Sequence, residues 1–306
     1  MDLAYYKQVA AELSALDAKV NDLLPPRYQH CYSEVSPTSM GSAGLVYGPD
    51  GKVAWDRIWT TFCDLALAGG PPHRGKLLEP PTGAEAAAEP DRYAEVVAEI
   101  GRAIGLTTGL ATVEEAPGWV GVPCRSPAEA AWLQFAVTAE NVSARRRGAV
   151  LLLPAGPGFR AEKEIKNVVV ALAKACHYWE GHLTESQQAL AGEDAWEPAS
   201  PAEAAANRPD YDESLDQVLR AVQAAGRPAS TGRYVGWAGV QAEDEEEAVW
   251  LLRAVLAERV LARREDAMLY LPVAASPDEV RSARIGRALE QACRLWAAYS
   301  ARLRPR

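Results

Sequence analysis

The skeleton of one stretch, Gly118 to Pro154, returns without a gap at Gly236 to Pro272, and this constrains the fold more than any other feature of the chain. The segment Gly118-Trp119-x-Gly121-Val122 recurs, and so do Glu129, Trp132, Glu140, Arg145, Arg146 and Pro154. A fainter copy starts at Gly41, where Gly41, Gly44 and Trp55 match Gly118, Gly121 and Trp132, and Leu77 to Pro80 match Leu151 to Pro154. In all three copies the tryptophan stands 11 residues after the second glycine. Self-similarity of this length marks one supersecondary unit per copy, so the expected architecture is three related units.

Each copy parses alike. The glycine segments (41–45, 118–122, 236–240) read as short strands whose glycines allow a close backbone approach. A helix follows, announced in the second copy by the capping box Ser126-Pro127-Ala128-Glu129 and in the third by Asp244 and Glu247. Trp55, Ile58, Trp59, Phe62, Leu65 and Ala66 keep helical spacing, so the repeated tryptophan heads a core-facing stripe. Apolar second strands (76–79, 149–153, 267–271) read as covered on both faces, and closing helices follow at 91–106, 161–182 and 277–300. Ile100 to Ile104 reappear as Ile285 to Leu289, which ties the first copy's closing helix to the third's. A strand, helix and strand of this length predict a right-handed parallel crossover.

The fold class expected is therefore α/β: three internal β-α-β-α repeats with mostly parallel strands, disposed as a pseudo-threefold body, with an extra N-terminal helix. Val9, Leu13, Leu16, Val20 and Leu23 place that helix over 3–24, stopped by Pro25 and Pro26. The boundaries expected are 1–40 for the N-terminal helix and loop, 41–110, 111–190 and 233–306 for the repeats, and 191–232 for a linker with a helix near 211–222. The Ala/Pro/Glu-rich stretches 80–90 and 191–210 read as exposed linkers.

Composition excludes some function classes. A net charge of −9 argues against nucleic acid or an anionic membrane as partner, because both need a clustered positive field. No run approaches the roughly 20 apolar residues of a membrane span, and the N-terminal MDLAYYKQVAAEL lacks a basic-then-apolar signal pattern. Five cysteines, scattered and without CxxC, read as reduced thiols, so the expected setting is cytoplasmic. No cofactor or metal is expected, and a homo-oligomer is compatible with the repeat.

Most motifs have a structural reading. The acidic run Glu243 to Glu247 sits at a helix start, and Arg145 to Arg147 and Arg263-Arg264 are taken as helix ends, each complementing the helix dipole. Gly70 to Lys76 fits G-x4-G-K, but Leu77 replaces the magnesium-binding hydroxyl and the helix-to-strand context is wrong for a phosphate loop. Gly156-Pro157-Gly158-Phe159-Arg160-Ala161 lies between a strand and a helix; it reads as a turn, or as an anion contact through Gly156, Gly158 and Arg160. In the stretch His177 to His182 the two histidines are five apart, so His182 is expected to point away from His177. His30, Cys31, Cys63 and His73 together match no zinc spacing.

What remains comes from comparing the copies. Glu79 stands where the other copies carry Leu153 and Leu271, placing a carboxylate at a strand's C-terminal end, where open α/β sheets bind ligands. His73, Arg74 and Lys76 lie close by in sequence. The expected function is thus a small-molecule-binding protein or enzyme for an anionic metabolite, sited in the first unit. Glu79 and His73 are the candidate acid/base groups, and Arg74, Lys76, Gly156, Gly158 and Arg160 the candidate ligand contacts. The alternative is a non-catalytic scaffold or partner-binding protein.

Overall fold

A computed structural model describes residues 3–25, 44–58, 65–192 and 197–303. The chain divides into two units rather than three: residues 35–193, and residues 1–34 together with 194–306. Helix α1 (Leu3–Leu23) opens the discontinuous unit and buries Val9, Leu16, Val20 and Leu23, the face expected from their spacing.

The 35–193 unit begins irregularly. Tyr47 and Val53 form an antiparallel bridge, a 3-10 turn spans Trp55–Arg57, a second spans Ala66–Ala68, and Leu78 pairs in parallel with Val142. Then follow α2 (Gly83–Ala88), α3 (Pro90–Thr108), β1 (Val113–Glu114), β2 (Trp119–Pro123), α4 (Pro127–Ala139), β3 (Arg145–Arg147) and β4 (Val150–Pro154). A π-helical turn, Ala161–Ile165, runs into α5 (Lys166–Gly181), and α6 (Glu185–Leu190) closes the unit. The other unit continues with α7 (Pro201–Ala206), α8 (Arg208–Ala224), β5 (Ala229–Ser230), β6 (Trp237–Gln241), α9 (Glu245–Ala257), β7 (Arg263–Glu265), β8 (Met268–Pro272) and α10 (Glu279–Leu303). The sheets run β1-β2-β4-β3 and β5-β6-β8-β7, and every neighbouring pair is antiparallel.

This overturns the expected parallel β-α-β-α repeats. The arginine runs are edge strands and not helix ends. β3 and β7 turn back through two-residue hairpins headed by Gly148 (φ 59°) and Asp266 (φ 50°), so β4 and β8 return antiparallel to β2 and β6. The residues of β3 and β7 are all charged, half-buried to exposed in β3 and buried in β7, so no apolar alternation marks these strands in the sequence. The Gly41 copy also fails as a unit. Trp55 lies in a 3-10 turn while Trp132 and Trp250 lie in α4 and α9, no strand forms at 76–79, and residues 41–43 lie outside the described ones. With two units there is no pseudo-threefold body.

The stretches read as linkers hold helices. α2 and α7 each start at a capping box, Thr82 with Glu85 and Ser200 with Glu203, at the same separation as the Gly118 and Gly236 copies. α3 is the counterpart of α8 and not of α10. Tyr93 and Tyr211 make the same bond, each phenol oxygen accepting from a backbone N–H, that of Gly118 at 2.9 Å and that of Gly236 at 3.0 Å. Both glycines are obligatory. Their φ angles are 99° and 78°, and a Cβ would lie 2.8 Å from the Pro81 carbonyl oxygen at Gly118 and 2.2 Å from that of Ala199 at Gly236.

Each core lies between its sheet and the helices. Val120, Val122, Leu151 and Leu153 are buried from one sheet, and Ala238, Val240, Leu269 and Leu271 from the other. Trp132 packs on Trp179 with ring centroids 5.8 Å apart, and Trp250 on Trp296 at 5.7 Å. Trp179 and Trp296, like Cys176 and Cys293, are one residue closer in sequence than Pro154 and Pro272. The 35–193 unit therefore carries one extra residue in this stretch, and the π turn is where a helix absorbs one without breaking. Among the described residues no helix is long and apolar enough to cross a membrane.

Candidate functional site

Helix α3 is amphipathic, with Val96, Ile100, Ala103 and Ile104 buried, and its polar edge carries Arg92, Glu95, Glu99 and Arg102. That edge holds the segment before it. Trp55 is fully buried and donates its indole N–H to Glu99 Oε1 at 2.7 Å, while Arg102 donates to both Glu99 oxygens and to the Val53 carbonyl at 2.8 Å. Burial alone would raise the Glu99 carboxyl, but the hydrogen bonds from Arg102 and Trp55 outweigh it and hold the group below the usual carboxylate range.

Above this clasp lies a recess of about 300 Å³, bounded by the Tyr47 turn, α3 and the π turn. Val53, Val96 and Ile165 form its apolar floor. Around the rim stand Lys52, Arg92, Glu95 and Glu162, with Tyr47 donating its hydroxyl to Glu162 Oε1 at 2.8 Å. That bond lowers the Glu162 carboxyl and raises the Tyr47 phenol. Arg92 is shared between Glu95, at 2.9 Å, and the Phe159 carbonyl, at 3.2 Å. None of these rim residues was singled out by sequence. They come from three segments far apart in the chain, and no spacing joins them.

The sequence-predicted residues fall elsewhere. Glu79 is exposed and belongs to no strand, so the premise of an interior carboxylate on a strand end does not hold. His73 is half-buried, its backbone N–H donating to Glu140 Oε2 at 2.8 Å. Burial pushes its imidazole down to about 4, against the opposing charge of Glu140, with Lys174, Lys166 and Arg74 adding to the fall. It is therefore neutral at pH 7. Arg74 donates through Nε to the Lys76 carbonyl at 3.1 Å, and Lys76 is exposed.

Near His73 lies the most deeply buried ion pair among the described residues of the 35–193 unit. Lys174 Nζ is 2.7 Å from Glu140 Oε1, with both side chains 1% exposed, and the same oxygen accepts the Ala66 N–H at 3.0 Å. Next to it Asn141, at φ 60°, donates its amide to the Arg74 carbonyl at 2.8 Å. Glu140 and Asn141 thus staple residues 66–78 onto the end of α4. The two candidate catalytic groups sit on or beside this staple, and neither lines the recess.

The Gly156 turn leads into the π turn that borders the recess but does not present an anion site. Phe159 N–H closes the turn on the Gly156 carbonyl at 2.9 Å, and Gly156 is packed against Pro81 and Phe159. Gly158 is exposed, with open space where a Cβ would go. The Arg160 N–H is already taken by Glu164 Oε2 at 3.1 Å, and the Arg160 guanidinium lies 3.7 Å from the same group. A carboxylate of the chain itself occupies the position an anion would need.

Two further arrangements escaped sequence reasoning. His177 and His182 bring their Nε2 atoms to 3.1 Å, because α5 ends at Gly181 and His182 (φ −132°) folds back over its last turn. In the other unit Arg263 is buried beside Glu265 (2.8 Å), with its guanidinium carbon 4.1, 4.5 and 4.9 Å from the ring centroids of Tyr270, Tyr234 and Trp237. The β7–β8 register places Arg263 opposite Tyr270, a juxtaposition legible only once the hairpin is known.

His30, Cys31 and Cys63 lie outside the described residues. Among the described residues no three His, Cys, Asp or Glu side chains gather as a metal site, and Cys124, Cys176 and Cys293 are free thiols. Burial raises the Cys124 thiol to about 12 and pushes Cys176 up as well, so both are poor nucleophiles. Compared with known proteins, the chain matches no family model and no curated sequence.

Proposed function

We propose that the chain is a binding protein that takes a small zwitterion, a molecule with both an amine and a carboxylate, in the recess of the 35–193 unit. What supports this reading is the lining: an apolar floor under a rim that carries both charge signs. Glu99 is neutralised by Arg102, and Arg92 is shared with Glu95, which leaves Glu162 with Tyr47 to meet an amine and Lys52 to meet a carboxylate. An anionic metabolite fits this rim less well, since with Glu99 paired to Arg102 the remaining Glu95 and Glu162 balance Lys52 and Arg92 and leave no excess of positive charge. The π turn supports the same reading, because such turns recur at functional sites. A cytoplasmic setting belongs with it, supported by the scattered free thiols.

The test is a thermal-shift screen of amino acids, simple amines and simple carboxylates against wild type, Glu162→Gln and Lys52→Ala. Ligand at about a hundred times its dissociation constant adds roughly 2.7 kcal/mol of stability, a clear rise in Tm. We expect that rise with zwitterions on wild type, reduced in each variant. Equal shifts in all three proteins, or shifts with carboxylates alone, would remove the recess from consideration.

A further inference from the structure

The helix that holds the Trp55 segment, α3, has its counterpart in α8 of the other unit, where no described segment lies on the matching positions. The matching tyrosine-glycine bonds set Glu99, Arg102 and Ala103 of α3 against Gln217, Arg220 and Ala221 of α8. In the 35–193 unit the first two of these positions hold an extended segment, Glu99 through the Trp55 indole and Arg102 through the Val53 carbonyl. In the other unit the same positions line an open groove of about 320 Å³ between α8 and α10. Ala283, Ser282 and Gly286 form its α10 side, and the helices approach closely enough that a Cβ on Gly286 would lie 3.3 Å from that of Ala221. α1 packs on α9 and α10, so it covers a different side of the bundle.

We propose that this groove is a docking seat for an extended segment of a partner protein that carries a tryptophan. Two features specify the occupant. Gln217 offers a side-chain carbonyl for an indole N–H; among the described residues its Oε1 accepts only the Ser282 hydroxyl, at 3.0 Å, and it has a second lone pair. Arg220 is exposed and makes no ion pair or hydrogen bond with other described residues, so it is placed to take a backbone carbonyl as Arg102 does. A seat that uses a buried aromatic anchor flanked by polar grips is the pattern of an interface hot spot.

The probe is a fluorescein-labelled peptide of the sequence Asp50 to Ile58, DGKVAWDRI, titrated against the full chain by fluorescence anisotropy. We expect saturable binding, weakened at least tenfold when the peptide's tryptophan is replaced by alanine. Ala283→Trp, a substitution at an exposed position that fills the groove, should abolish it, and Arg220→Glu should weaken it several-fold, with thermal melts confirming that both variants fold. Absence of binding, equal binding of the alanine peptide, or undiminished binding to Ala283→Trp would overturn the proposal. So would a wild-type chain that self-associates through this face and becomes monomeric in Ala283→Trp, because the occupant would then be a second copy.

Discussion

His73 shows how a residue's surroundings decide its role. Free histidine titrates near 6.5, whereas burial holds His73 near 4, opposed by Glu140 and assisted by Lys174, Lys166 and Arg74. Between those values the unfolded chain binds a proton that the native chain refuses, so stability falls as pH drops from about 6.5 toward 4 and is fully present above 6.5. The shift corresponds to about 3 kcal/mol. Urea denaturation of wild type and His73→Gln across this window should show the steeper loss in wild type; parallel profiles would mean that His73 titrates as if in water. The sequence offered His73 as a catalytic candidate because it stands near Arg74, Lys76 and Glu79. What it could not show is that Glu140, 67 residues on, reaches back to the His73 backbone.

Among the elements, the tightest constraint is the bond between a tyrosine near the start of a helix and the glycine that enters the central strand. Gly236→Ala should cost roughly 3 kcal/mol or more, since it combines a positive φ with backbone overlap at Ala199. Tyr211→Phe should cost about 1–3 kcal/mol by leaving the buried Gly236 N–H unpaired, and Tyr93→Phe less, because the Gly118 bond is only partly buried. Chemical denaturation ranks the three; a Gly236→Ala loss below 1 kcal/mol would contradict the geometry. The N-caps Ser126 and Asp244, the tryptophans of α4 and α9 and the helices α1 and α8 were legible, since each rests on local spacing, whereas the capping boxes at Thr82 and Ser200 lay in stretches whose composition read as linker. Strand direction was not. It depends on whether Arg145 to Arg147 continue a helix or turn at Gly148, and an edge strand of arginines gives no apolar alternation to read. The recess was illegible for a related reason, because Tyr47, Lys52 and Glu162 meet only through loop geometry.

At the scale of the whole chain, one unit is continuous in sequence and the other is not. Residues 35–193 hold a complete sheet with its own helices, and expressed alone they should unfold in a single cooperative transition with Trp55 shielded from quenchers. A broad transition, or a Trp55 signal open to iodide, would show that this unit needs the rest of the chain. The discontinuous unit carries a further consequence, in the order of birth on the ribosome. α1 leaves the exit tunnel first, yet its main neighbour, α9, begins about 220 residues later. At ordinary elongation rates that is a wait of roughly ten to forty-five seconds. Through that interval Val9, Leu16, Val20 and Leu23 form an apolar stripe with its docking face unsynthesised, while the intervening unit is already able to close. A nascent chain arrested before α9 should therefore offer this helix to general chaperones, and release of the arrest should withdraw it.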